Sequence, residues 1–151
     1  MKILQKVLLL AAAATALSAC EQEPDKWLQD NIQEGRGYFP VIANASVTAP
    51  ALTTVKPGSE VTVDLRYWSR DPIQEVRLYA RPGATAAETL VSTTPYAPAY
   101  SEVSRTDSVL LRYTVPADLV PAKGALRLRA EVVNENTLTR SITLPVIDIV
   151  P

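Results

Sequence analysis

The sequence predicts an all-β fold, a two-sheet antiparallel sandwich of seven strands spanning residues 41–151. Three observations carry this reading. Runs of strand length alternate between apolar and polar residues, turn residues separate the runs, and no helical periodicity falls between them. Half-buried antiparallel sheets read this way, whereas strands of parallel sheets are continuously apolar.

The first run, residues 41–47, opens the domain. Residues 60–68 alternate, with Val61, Val63, Leu65 and Tyr67 on one face and Thr62, Asp64, Arg66 and Trp68 on the other. Pro57-Gly58 before this run and Asp71-Pro72 after it are turn signals. Residues 73–80 point Val76, Leu78 and Ala80 inward and Glu75, Arg77 and Tyr79 outward, and Pro82-Gly83 closes the strand. Residues 89–94 form a weaker run ahead of a Pro-rich segment, 95–100. Residues 108–115 place Val109, Leu111, Tyr113 and Val115 on one face, with Arg112 and Thr114 on the other. A loop from Pro116 to Gly124 leads to the clearest strand, 125–133. There Leu126, Leu128, Ala130 and Val132 face in, while Arg127, Arg129 and Glu131 face out. Asn134-Glu135-Asn136 is a hairpin turn by composition. Residues 137–150 return as the last strand, and Pro145 predicts an edge position or a bulge there. Seven short strands in this length point to an immunoglobulin-like or fibronectin-III-like sandwich.

The chain ahead of the domain has a different character. Lys2 and Lys6 precede an apolar core, Val7 to Ala16, well short of the roughly 20 residues a membrane-spanning helix needs. Small residues then lead to Leu17-Ser18-Ala19-Cys20, which resembles the lipobox of bacterial lipoproteins. The resemblance implies that residues 1–19 are a secretion signal and that Cys20 is acylated and becomes the mature N-terminus. Cys20 is the only cysteine, so the domain has no internal disulfide. Two or three acyl chains suffice for stable anchoring where one does not. Glu21-Gln22-Glu23-Pro24-Asp25 resembles the surface-export signal of Bacteroidetes lipoproteins, and a plain polar tether is the other reading. Residues 20–40 are expected to be that tether. Asp25 to Glu34 within it suits a short helix with Leu28 and Ile32 on one face, ending at Gly35-Arg36-Gly37.

Composition narrows the chemistry. The chain has 15 basic and 16 acidic residues; without Lys2 and Lys6 the basic count is 13 and the net charge −3. That argues against nucleic acid as a partner. There is no histidine, which removes most triad, acid–base and zinc arrangements. Five glycines in the whole chain leave no phosphate-binding loop. Asp64, Asp107 and Glu135 lack the spacing of a calcium loop. No enzyme, cofactor or metal site is expected.

Binding is the remaining class. Trp68 and Tyr79 point out of the sandwich by parity, and Tyr96 and Tyr100 sit in the Pro-rich segment. Such aromatic faces stack on sugar rings or anchor protein interfaces; a Trp68 that merely covers one end of the core is the plainer alternative. Arg77, Arg127, Arg129 and Arg140 are expected on one outer face, with Glu75 and Glu131 among them. That face is either a solvated ion lattice or a site for an anionic glycan or acidic loop. Asn44-Ala45-Ser46 fits a glycosylation sequon. Asp107-Ser108-Val109 resembles the O-glycosylation motif of Bacteroidetes.

Together, the lipobox, the acidic residues behind Cys20, a short spacer and one sandwich domain resemble small surface lipoproteins of Bacteroidetes. This implies an outer-membrane location, lipid-anchored and facing the cell surface. Two functions are then expected: an accessory or scaffold module binding a partner protein at the outer membrane, or a glycan-binding lipoprotein of a polysaccharide uptake system using Trp68 and Tyr79.

Overall fold

The computed structural model describes residues 35, 37–49, 54–83, 85–119 and 122–151. The signal segment, Cys20, the acidic cluster and the expected tether helix lie outside the described residues. Among the described residues there are nine strands: β1 (Val41–Ala49), β2 (Thr54–Val55), β3 (Glu60–Trp68), β4 (Ile73–Pro82), β5 (Thr89–Pro95), β6 (Asp107–Thr114), β7 (Ala122–Asn134), β8 (Thr139–Thr143) and β9 (Ile147–Ile149). They form a three-stranded sheet, β1-β3-β6, and a six-stranded sheet, β2-β9-β7-β4-β5, with β8 also paired to β7. Every pairing is antiparallel except β2 with β9. The chain changes sheets between β1 and β2, between β2 and β3, between β3 and β4, between β5 and β6, and between β6 and β7. That crossing pattern makes the domain an immunoglobulin-like sandwich.

The alternation read from sequence becomes the core. From the three-stranded sheet come Val61, Val63, Leu65, Tyr67, Leu111 and Tyr113. From the other come Val76, Leu78, Ala80, Leu126, Leu128, Ala130 and Val132, joined by Ile147 and Ile149. Each fully buried Val or Leu contributes roughly 1.5–3 kcal/mol. A disulfide-free sandwich rests on such a layer.

Turn chemistry sets the joints. Ser59 N–H donates to the Lys56 carbonyl at 3.1 Å, and Gly58 has φ +81°. Pro57 and Gly58 thus fill the two central places of a type II turn, where the second must be left-handed. The β7–β8 hairpin closes with Thr137 N–H donating to the Asn134 carbonyl and Asn134 N–H to the Leu138 carbonyl, both at 3.0 Å. Thr137 sits at φ 69°, the left-handed position of a bulged three-residue hairpin loop that normally carries glycine. Pro145 does interrupt the last run, splitting it into β8 and β9, both on β7.

Several details differ from the sequence reading. Nine strands among the described residues replace the expected seven, because β2 is not among the expected runs and Pro145 splits the last run in two. β2 pairs with β9 in parallel, and β7 begins at Ala122, inside the stretch expected to be a loop. Residues 37–40, expected in the tether, are held on the domain. Arg140, expected on the outer face with Arg77, Arg127 and Arg129, pairs instead with Val132, whose side chain faces the core. The bulge at Thr137 changes the parity of β8, and one residue of shift moves every side chain to the opposite face.

Candidate functional site

A cleft of about 470 Å³ opens at one end of the sandwich, lined by Trp68, Ser69, Arg70, Asp71, Pro72, Ile73, Tyr96, Tyr100, Arg105 and Asp107. Three pieces of chain build it: the β3–β4 connection, the exit from β5, and the start of β6. Trp68 ends β3 on the outward face opposite Val41 and is 40 % exposed. Tyr100, 61 % exposed, follows the Pro-rich segment. Both are exposed aromatic side chains.

Buried polar groups hold these pieces in place. Asp107, only 8 % exposed, accepts the Ala99 N–H at 2.8 Å and the Tyr96 hydroxyl at 3.3 Å. Those bonds fix the course of residues 96–99. Below them the Tyr67 hydroxyl is pushed up to about 12, first by burial, then by the negative charge of Asp107 and by Tyr96. Tyr96 is raised too, by burial and then by Asp107.

Asp71 is committed in the same way. It accepts the Tyr38 N–H and, at 2.7 Å, the Asn136 amide. Asn134, fully buried, donates to the Tyr38 carbonyl at 2.9 Å and to the Ser69 hydroxyl at 2.8 Å. Gly37 has φ +98°, and a Cβ there would run into the Asp71 carboxylate, so only glycine fits. Arg70 stacks its guanidinium over the Tyr38 ring, 4.6 Å from the centroid. The N-terminal strap thereby becomes one wall-support of the cleft.

Arg105 stands on the small hairpin 101–106, which closes through a bridge between Ser101 and Thr106. Its φ is 54°, uncommon for a residue other than glycine, and its N–H donates to the Ser101 carbonyl at 2.7 Å. On the far side of this hairpin lies a second hollow of about 410 Å³, lined by Asp64, Arg66, Ser101, Val103, Ser104, Ser108 and Leu110. Asp64 and Arg66 pair there at 3.2 Å.

The other residues singled out from sequence lie elsewhere. Tyr79, Arg77, Arg127 and Arg129 occupy the outer face of the six-stranded sheet, so Trp68 and Tyr79 belong to different sheets. Arg129 covers the Tyr79 ring at 3.9 Å and bridges Glu88 at 2.7 Å and Glu131 at 3.2 Å. Arg77 bridges Glu75 at 2.5 Å and Glu131 at 3.5 Å, and the Tyr79 hydroxyl donates to Glu131 at 3.1 Å. The Arg129 hydrogen bond holds Glu88 below its ordinary value, and Glu75 is the chief cause of the raised value of Arg77. Tyr79, Arg77 and Arg129 are therefore occupied by one another. Arg127 faces Arg81 across the β4–β7 pair and makes no ion pair among the described residues.

Arg70, Asp71 and Arg105 were missed as site residues. Asp71-Pro72 signalled only a turn, and nothing local marks Arg70 or Arg105. No cluster of metal-binding side chains occurs among the described residues, and no helix among them is long and apolar enough to cross a membrane.

No family model matches the chain, and no curated protein matches it. Among solved structures it is similar to a Niemann-Pick type C2 protein from Japanese carpenter ant. The TM-score is 0.43 at 11 % identity, over 76 % of this chain and 95 % of that one. A likeness at that level carries no argument about ligand or activity; the sandwich assignment rests on the strand order itself.

Proposed function

We propose that this chain is a non-catalytic, lipid-anchored binding module that holds a saccharide in the cleft at the β3–β4 end. The observation that carries the reading is the cleft itself. It combines the exposed side chains of Trp68 and Tyr100 with charged residues carried on hydrogen-bonded loops. Flat apolar ring faces match the C–H faces of sugar rings, and polar groups at the margin set orientation. Both carboxylates in the cleft are engaged in positioning loops, which fits a binding role rather than acid–base work. The anchor is Cys20, and the acidic residues behind it favour the cell-surface side of the outer membrane.

The test is retardation in affinity gels containing polysaccharides. The full chain is expected to be retarded by some of them, and Trp68→Ala to migrate as in a glycan-free gel. Tyr79→Ala, outside the cleft, is expected to behave as the parent. Lack of retardation across a broad panel defeats the saccharide reading.

A second reading, an accessory module binding a partner protein, is favoured by a separate observation. The edge strand β5 exposes Leu90 (52 %) and Val91 (39 %), and Val103 stands 99 % exposed beside the second hollow. Unpaired strand edges with apolar side chains accept other chains. Retention of an outer-membrane protein by the wild type but not by Leu90→Lys, with no glycan retardation, would select this reading.

A further inference from the structure

We infer that the cleft selects anionic saccharides, recognised through Arg70 and Arg105, over their neutral counterparts; this rests on the saccharide reading above. Two carboxylates and two guanidinium groups line the cleft. The carboxylates are in part committed to loop bonds: Asp107 accepts the Ala99 N–H on one oxygen and the Tyr96 hydroxyl on the other, and Asp71 accepts the Tyr38 N–H and the Asn136 amide on Oδ2. The guanidiniums are not. Neither Arg70 nor Arg105 forms an ion pair among the described residues, although both stand in the same cleft as the two acids. Arg70 rests on the Tyr38 ring, a contact made by the face of the guanidinium rather than by its N–H donors.

A neutral sugar offers hydroxyls that both donate and accept. In this cleft three of the four carboxylate oxygens already accept hydrogen bonds, while the two arginines stand without an ion-pair partner among the described residues. A ligand bringing its own carboxylate or sulfate ester complements what is open. Guanidinium presents a planar fork of donors that matches such groups two bonds at a time. The chain as a whole is weakly acidic, so the preference arises from these two side chains and not from net charge. Both are exposed, and screening will weaken the contact as salt rises.

The experiment compares matched pairs in affinity gels with the full chain: polygalacturonate against its full methyl ester, and dextran sulfate against dextran. Each pair keeps the sugar backbone and differs in whether its substituents are anionic. At low salt we expect at least tenfold stronger retardation by one or both charged polymers than by its partner. Arg105→Ala and Arg70→Gln should each remove most of that difference, with Arg112→Gln as a surface-charge control and thermal unfolding verifying that each variant is folded. Rising salt should abolish the difference as well. Equal retardation by charged and neutral partners, or retardation only by neutral glycans, overturns the inference and leaves the saccharide reading intact. Charge-dependent binding that survives both arginine substitutions also overturns it. Failure to bind any glycan removes both.

Discussion

The cleft at the loop end and the outer face of the six-stranded sheet are made from the same residue types and reach opposite outcomes. Each has aromatic rings, arginines and carboxylates. On the sheet face, Arg129 lies on Tyr79 and bridges Glu88 and Glu131, and Arg77 takes Glu75 and Glu131. In the cleft the carboxylates serve the backbone and neighbouring side chains, so the arginines form no ion pair among the described residues and two aromatic side chains stay exposed. The difference teaches that residue type on an exposed face does not make a site. What decides is whether the groups have already satisfied one another.

The largest expected effect tests how the cleft is held. Asp107→Ala leaves the Ala99 N–H and the Tyr96 hydroxyl without their acceptor. A loss of about 2–3 kcal/mol is expected in urea unfolding, with loss of glycan retardation. A variant with unchanged midpoint and unchanged retardation would show that residues 96–99 do not depend on Asp107.

Next comes alkaline pH. The folded Tyr67 hydroxyl lies near 12 against an ordinary 10.0, so folding favours its neutral form. The stability it contributes is complete below pH 10 and drains away as pH rises towards 12. Ultraviolet titration should find a tyrosine that ionises only near 12, missing in Tyr67→Phe. Ionisation of every tyrosine near 10 would remove the buried Asp107–Tyr67 environment from the account.

On the sheet face the effects are smaller. Arg129→Ala breaks two bridges and the ring contact, and should cost about 1 kcal/mol, since such partly exposed pairs are screened. Retardation by glycans should not change. Weakened binding in this variant would collapse the distinction between the two regions. The smallest effect lies away from both. Thr137→Gly relieves a β-branched residue at positive φ, and thermal unfolding should report a gain of about 0.5–1 kcal/mol. A loss there would mean that the Thr137 side chain makes up for its backbone.

The fold was legible because its signal is local. Period-two alternation in 60–68, 73–80 and 125–133 names the core side chains without reference to any partner strand. Parity failed where a joint intervened: the left-handed Thr137 reversed the facing of Arg140, and no composition rule puts threonine at that position. Asn134 read as a turn residue but is a fully buried clasp, because its partners Tyr38 and Ser69 are distant in sequence. The cleft is in the same position. Trp68, Tyr96 and Tyr100 were visible as aromatics, yet their meeting with Arg70 and Arg105 depends on three connections converging at one end. The pairing of Arg129 with Glu88, 41 residues away, is hidden for the same reason.

The strap at residues 37–40 has a mechanical consequence. Any pull on the chain from its N-terminal side enters the domain at Gly37. The first bonds loaded are those from Tyr38 to Asp71 and from Asn134 to Tyr38, before any rung between β1 and β3. Asp71 is at once the clasp of the strap and part of the cleft. Tension that opens the clasp frees the Asp71 carboxylate beside Arg70, and the two charges can then neutralise each other. On the anionic-saccharide proposal, such tension would act as a release lever, loosening the ligand by handing its cation an internal substitute.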